Sequence, residues 1–170
     1  MATFTLTSRE VVGIRSLLGI RLDPVSLPDT VIKSEQYVEP ACDYVFSTIR
    51  EGIAFDKPTT ITELYVLFGP VGSNAAAQQD QRFRQAIVYR VAALLVPSVS
   101  FLLGESAGGV NEQYQPPPNW ELLQASLLLR CDEQIEIMDK FMRDDMLEDP
   151  GKVRIRTQGF TFFRTVSLGG

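Results

Sequence analysis

The sequence feature that most restricts the fold is a run of apolar residues at helical spacing between residues 119 and 146. Its members follow one another at steps of three and four residues: Leu128, Cys131, Ile135, Met138 and Met142. This spacing places them on one face of an α-helix, widened by Leu127 and Phe141. Asn119, directly after three prolines, is a good N-cap, and residues 149–151 end the pattern. We predict a long helix over 119–146 that must bury this face.

Three earlier segments also predict helices. Thr7 and Glu10 match a capping box, which predicts a first helix that ends at Gly19. A second helix is expected over residues 28–52, with Pro28 in its first turn, and a third over about 80–103, which the alanines at 75–77 could start earlier. Their apolar sets are Val11, Val12, Ile14, Leu17 and Leu18 for the first helix, Val31, Val38, Ala41, Val45 and Ile49 for the second, and Phe83, Ile87, Val91, Leu94 and Phe101 for the third.

Two prolines interrupt these helical patterns. Pro40 lies in the second helix and Pro97 in the third, and each removes a backbone donor, so a kink or a break is expected at both. Between these helices, residues 53–79 are ambiguous. Residues 60–63 match a capping box, but the eight residues from Ile61 are rich in strand formers, so a short helix and an extended segment both remain open.

Near the end of the chain, polar and apolar residues alternate instead of following helical spacing. Residues 152–157 alternate between polar and apolar, 158–159 can form a turn, and 160–167 can return as a second strand. A lone hairpin is marginally stable in water, so this arm is expected to lie against a helical surface or a neighbouring subunit. We therefore predict a mainly α chain. A bundle of about four helices, two of them Pro-kinked, fills residues 1–150 with long loops, and a C-terminal β-hairpin or extended arm fills 151–170.

Charge is distributed unevenly along the chain. The net charge is −5, but residues 132–150 carry two basic and eight acidic side chains, whereas 151–170 carry four basic and none acidic. This separation favours contacts with another copy or a protein partner. The candidate partner-binding residues are Lys152, Arg154, Ile155, Arg156, Phe160, Phe162, Phe163 and Arg164. Basic and aromatic residues together also suggest nucleic-acid binding, but four charges are few for strong phosphate affinity.

The sequence contains no histidine, which excludes a Ser-His-Asp triad, a Cys-His dyad and imidazole metal ligands. The best enzyme candidate is a set of carboxylates in the fourth helix, Glu133, Glu136 and Asp139, which could bind Mg²⁺. All-α nucleotide pyrophosphohydrolases use such clusters, but they need a second carboxylate pair on a facing helix. Glu35 and Glu39 are the nearest match. The simpler interpretation is a solvated helix face, so we expect no metal and no cofactor.

Two cysteines are too few for a four-cysteine zinc site, and both lie in apolar helical patterns. We therefore interpret Cys42 and Cys131 as small buried hydrophobes in a reducing compartment. Residues 1–5 lack a basic region followed by an apolar run, so no secretory leader is expected. No stretch reaches the length of an apolar membrane span, so no membrane partner is expected either.

Several stretches, in their order and spacing, carry a family resemblance. These are residues 6–12 (LTSREVV) and 16–20 (SLLGI), 27–32 (LPDTVI) with its long helix, 84–97 (RQAIVYRVAALLVP), and 119–121 (NWE). Together they resemble the head–tail connector proteins of tailed bacteriophages, also called adaptors or head-completion proteins. The likeness covers the layout of about residues 5–143. The prolines at 40 and 97 and the long segment 53–79 depart from the family's pattern.

The resemblance implies a structural virion protein rather than an enzyme, because this family has no catalytic residues. Its adaptors form a ring, typically of twelve copies, below the portal protein. They join the portal to the next neck or tail-completion protein and line a channel through which DNA passes without sequence recognition. The family's C-terminal arm commonly reaches the portal, which would suit residues 151–170. The expected location is the virion neck, after synthesis in the host cytoplasm. The alternatives are another phage neck, tail-completion or assembly factor, and a Mg-dependent all-α nucleotide pyrophosphohydrolase.

Overall fold

The structure, a computed structural model, describes residues 4–19, 24–53, 57–106, 119–147, 152–157 and 160–165. Side-chain surroundings are described for these ranges except 101–106 and everything after residue 142. The elements in chain order are α1 (Ser8–Leu18), α2 (Asp29–Ile32), α3 (Glu35–Gly52), α4 (Ile61–Leu67), α5 (Asn74–Ser106), α6 (Trp120–Leu147), β1 (Lys152–Thr157) and β2 (Phe160–Thr165). The prediction of a mainly helical chain is confirmed.

Helix α5 is the centre of the bundle. It packs most extensively against α6 and also contacts α1 and α3. Buried residues occur on all sides of it: Phe83, Ala86, Ile87, Val91, Ala92, Ala93, Leu95, Val96 and Val99. A helix that is apolar all round lies inside a bundle, so α5 is the helix around which the others pack.

Helix α6 buries the face that the sequence predicts. Cys131, Ile135, Met138 and Met142 are all buried. The seam begins one residue earlier than expected, since Leu127 is buried and Leu128 only partly so. Asn119 is the predicted N-cap, and its side-chain oxygen accepts a hydrogen bond from the backbone N–H of Leu122 at 3.1 Å. We refer to this buried stripe as the inner face of α6.

Helix α1 begins with the predicted capping box. The Thr7 hydroxyl accepts from the backbone N–H of Glu10, whose carboxylate accepts from the backbone N–H of Thr7 at 2.6 Å. The expectation that Val12 belongs to the apolar set is wrong, because Val12 is 59% exposed. It lies about 100° around the helix from Val11, outside the buried stripe. Arg15 falls inside that stripe instead and is buried.

The second predicted helix is divided, but not at proline. The break between α2 and α3 lies at Lys33 and Ser34, and α3 continues through Pro40. The carbonyl of Ser34 accepts hydrogen bonds from the backbone N–H groups of Tyr37 and Val38 and so starts a new helix. Helix α5 likewise continues through Pro97. Of the kink or break expected at each proline, the break does not occur, because one lost donor is offset by packing along the rest of each long helix.

Of the two possibilities left open for residues 53–79, the structure has the short helix, α4. The Thr60 hydroxyl accepts from the backbone N–H of Glu63 at 3.2 Å, as the capping box predicts. The Glu63 carboxylate reaches one residue further back and accepts from the N–H and the hydroxyl of Thr59. Helix α5 begins at Asn74, which agrees with the earlier start that the alanines at 75–77 allowed, because the Ser73 hydroxyl accepts a hydrogen bond from the backbone N–H of Ala76.

The strands β1 and β2 form an antiparallel ladder that pairs Lys152 with Thr165 and Thr157 with Phe160. The second strand is described as far as Thr165, and residues 166–167 of the predicted strand lie outside the described residues. Each strand packs chiefly against the other. We refer to β1 and β2 together as the C-terminal hairpin.

Candidate functional site

The register of the C-terminal hairpin sorts the candidate partner-binding residues into two sets. Directly paired residues in an antiparallel ladder share a face, and the face alternates along each strand. One face holds Lys152, Arg154, Arg156, Thr161, Phe163 and Thr165, and the other holds Val153, Ile155, Thr157, Phe160, Phe162 and Arg164. The hairpin therefore has a basic face and a mainly apolar face that includes one arginine. The contacts of these side chains lie outside the described residues, so their role as a partner-binding set stays a prediction.

A second candidate surface lies on α6, opposite its inner face. Leu122 and Leu129 are 67% and 61% exposed, and Ile137 is 42% exposed. Glu133 and Glu136 are exposed between them. At about 100° per residue these five positions fall within a stripe about 100° wide, centred roughly half a turn from the inner face. We call this stripe the outer face of α6. Because they share one stripe, these apolar side chains make the outer face a candidate contact surface.

Contacts along the sides of α6 fix its orientation and so present the outer face. The Tyr44 hydroxyl of α3 donates to the Asp132 carboxylate at 3.2 Å, and the Arg90 guanidinium of α5 lies 3.8 Å from the centre of the Tyr44 ring. The Gln124 side-chain amide donates to the carbonyl of Ala93 at 3.1 Å. Burial and the neighbouring Asp132 carboxylate raise the pKa of Tyr44. Helix α6 is thus held against both α3 and α5.

The carboxylates considered as magnesium ligands do not form a cluster. Glu133 and Glu136 are exposed on α6, and Asp139 is half-buried beside Gly52 of α3. Glu35 and Glu39 are exposed on the first turns of α3. Within the described ranges, no three acidic, cysteine or histidine side chains come together as a metal-binding group. The second carboxylate pair that the pyrophosphohydrolase alternative requires is not brought together with the first.

The two cysteines are free and buried, which confirms their interpretation as small apolar residues. Burial raises the pKa of the Cys42 thiol to about 11 and that of Cys131 to about 12, with smaller contributions from the neighbouring carboxylates of Asp43 and Asp132. Both thiols are therefore protonated at neutral pH, and neither has the lowered pKa of a reactive thiolate.

Polar contacts that the sequence analysis missed join α1 to the rest of the bundle. The Arg84 guanidinium of α5 donates to the Glu10 carboxylate through two nitrogens, at 2.7 and 3.0 Å. The Arg15 guanidinium pairs with the Asp29 carboxylate and donates to the carbonyl of Leu27 at 2.9 Å. Glu10 and Arg84 are 74 positions apart, so no local sequence pattern predicts their pairing. Arg15 could have been predicted to have partners, because a charged side chain within an apolar stripe is buried only when it is paired.

The outer face of α6 was also not predicted, because the apolar residues at steps of three and four define only the buried stripe. Leu122 and Leu129 lie seven residues apart, the same spacing that relates Cys131 to Met138 on the inner face. Their position on the side of the helix opposite the inner face could thus be read from the sequence.

Comparison of the chain with protein-family models, with curated proteins and with solved structures finds no match. Within the part of the chain that the structure describes, no helix combines the length and the apolar character needed to cross a membrane.

Proposed function

We propose that this chain is a head–tail adaptor of a tailed bacteriophage. It forms a ring of copies below the portal protein, joins the portal to the next neck or tail-completion protein, and surrounds the channel through which DNA leaves the capsid. It acts in the virion neck as a structural protein, with no catalytic step and no cofactor.

The main support for the proposal is the position in the fold of the stretches that resemble the adaptor family. The described residues of the first two stretches, 6–12 and 16–19, lie in α1 and its caps, residues 84–97 lie in α5, and residues 119–121 start α6. Helices α1 and α6 both pack against α5. The stretches that resemble the adaptor family therefore belong to one packed unit rather than to scattered surface segments.

Two further features support an assembly role. The C-terminal hairpin has a basic and an apolar face by register, and it follows the acidic end of α6. The outer face of α6 leaves two leucines more than half exposed in the single chain. A ring of identical copies needs two unlike patches that meet between neighbours, and these two surfaces differ in the required way.

An acidic chain suits a channel through which DNA slides. The net charge of −5 disfavours tight binding to phosphates, since non-specific affinity for DNA comes from Lys and Arg. We propose that DNA passes through the ring without recognition of its sequence.

Co-purification with the portal protein of the same genome tests the proposal. The full chain is expected to elute with the portal, whereas a variant that lacks residues 151–170 should keep its helical circular dichroism spectrum and lose the portal. Replacing Val71, an exposed loop residue, by alanine gives a matched control that should still bind. Separate elution of the full chain and the portal would contradict the adaptor role.

A further inference from the structure

We propose that α5 has a hinge at Pro97 and that Gln124 of α6 is the latch that holds this hinge closed. Gln124 gives the carbonyl of Ala93 the hydrogen bond that Pro97 removes from the helix. The seating of α6 against α5 therefore controls whether the last part of α5, residues 98–106, stays in line with the rest of that helix. The device belongs to the bundle itself and does not depend on the adaptor role.

Proline removes one backbone hydrogen bond from the interior of α5. In an α-helix the N–H of residue 97 donates to the carbonyl of residue 93, four positions earlier, but Pro97 has no N–H. Ala93 is only 1% exposed, so bulk water does not replace the missing donor. A buried carbonyl that lacks its partner destabilises the fold, so this position needs a donor from outside the helix.

Gln124 is that donor. Its side-chain Nε2 lies 3.1 Å from the carbonyl oxygen of Ala93, within the ordinary range of an N–H···O hydrogen bond. The contact joins the second turn of α6 to the turn of α5 that precedes Pro97. The bond that α5 cannot make with itself is thus made with α6, and movement of α6 away from α5 would leave the carbonyl unpaired.

The segment just after Pro97 is held by a different helix. The hydroxyl of Ser98 lies 3.0 Å from that of Tyr37, in the first turn of α3, and Val99 has no exposed surface. Sharp bends in helices occur mainly at proline, so Pro97 is the place where α5 bends most readily. The conformation described is the closed one, with a contact to α6 before the hinge and a contact to α3 after it.

Hydrogen exchange of the full chain tests the latch. Gln124→Leu removes the donor, so the backbone amides of residues 98–106 should exchange at least about tenfold faster than in the unsubstituted chain. Gln134→Leu is the matched control, since Gln134 is a half-buried glutamine of the same helix, and it should leave this exchange unchanged. Equal exchange in the Gln124→Leu variant and the control would overturn the proposal.

Pro97→Ala separates a latch from an ordinary contact between two helices. Pro97 is exposed, so alanine costs no core packing there and restores an N–H that can pair with the Ala93 carbonyl. In this background Gln124→Leu should speed the exchange of residues 98–106 by less than about twofold, because the carbonyl keeps a partner. A tenfold effect in both backgrounds would mean that Gln124 ties α6 to α5 without compensating for Pro97, which would refute the latch.

Distances between spin labels test the hinge directly. Labels attached at Gln85→Cys and Glu105→Cys are 20 residues apart in α5, or about 30 Å along a continuous helix, and the native thiols are buried. We expect one narrow distance distribution with Gln124 present, a broader or shorter one with Gln124→Leu, and a narrow one again when Pro97→Ala is added. A distribution that stays narrow with Gln124→Leu alone would rule out the hinge.

Discussion

The ion pair between Glu10 and Arg84 offers the sharpest test of how α1 is held to the central helix. Nε and Nη2 of the guanidinium contact the two carboxylate oxygens at 2.7 and 3.0 Å, and the side chains are 16% and 27% exposed. Exposed pairs contribute about 0.2–1 kcal/mol, and hydrogen bonds to charged groups about 1.5–3 kcal/mol. For a bidentate pair of intermediate exposure we expect a coupling free energy of about 1–1.5 kcal/mol.

Single substitutions would overstate this value, because each partner has other contacts. Glu10 also accepts from Thr7 in the capping box, and Arg84 donates to the carbonyl of Thr5 and lies 4.9 Å from the centre of the Phe4 ring. A double-mutant cycle with Glu10→Gln and Arg84→Met cancels these separate losses. The measurement is urea unfolding of the four proteins, followed by far-UV circular dichroism.

The same coupling should depend on pH. Burial opposes ionisation of Glu10, but hydrogen bonds from Arg84 and Thr7 outweigh it and hold the pKa below its usual value of 4.5. The unfolded chain therefore takes up the proton first as the pH falls. The stabilisation is complete above about pH 5 and is lost as the pH falls through the lowered pKa. A coupling below about 0.3 kcal/mol at neutral pH, or one that stays unchanged at about pH 3, would refute this account.

Two further predictions concern the core. Phe83 has no exposed surface, and its ring centre lies 5.9–6.2 Å from those of Phe4, Tyr65 and Phe68. In urea unfolding, Phe83→Ala should therefore lower the free energy of unfolding by about 3–5 kcal/mol, whereas the exposed Val66→Ala should lower it by less than about 0.5 kcal/mol. Similar losses for the two variants would show that the aromatic cluster is not packed as described. The cysteines, with thiol pKa values of about 11 and about 12, should react with a thiol reagent only after unfolding, and rapid reaction of the native chain at neutral pH would contradict their burial.

The sequence predicted those parts of the fold that local chemistry determines. Thr7 and Asn119 cap α1 and α6 as expected, since a hydroxyl or amide oxygen beside a free backbone N–H needs no distant partner. The inner face of α6 could be predicted because its apolar residues keep the same helical spacing over about four turns. The alanines at 75–77 left an early start of α5 open, but Ser73 was not recognised as its cap because it lies in a segment with the composition of a loop.

The errors arose where packing outweighs local preference. Pro40 and Pro97 do not end their helices, because each long helix is held along its length by the bundle. Val12 is exposed because α1 buries only a narrow stripe, and the hydropathy of a residue does not tell how wide the buried stripe of its helix is. The separation of charge at the C-terminus was plain in the sequence. The exposure of the outer face of α6 was recognised only once the helix was oriented in the bundle, although its two leucines stand seven residues apart in the sequence.

Electron microscopy of the portal protein mixed with this chain tests the adaptor role most directly. The adaptor role predicts a ring of additional density on one end of the portal, with one copy of the chain for each portal subunit and an open channel along the axis. A portal without added density, beside a chain that remains separate in solution, would contradict the central claim.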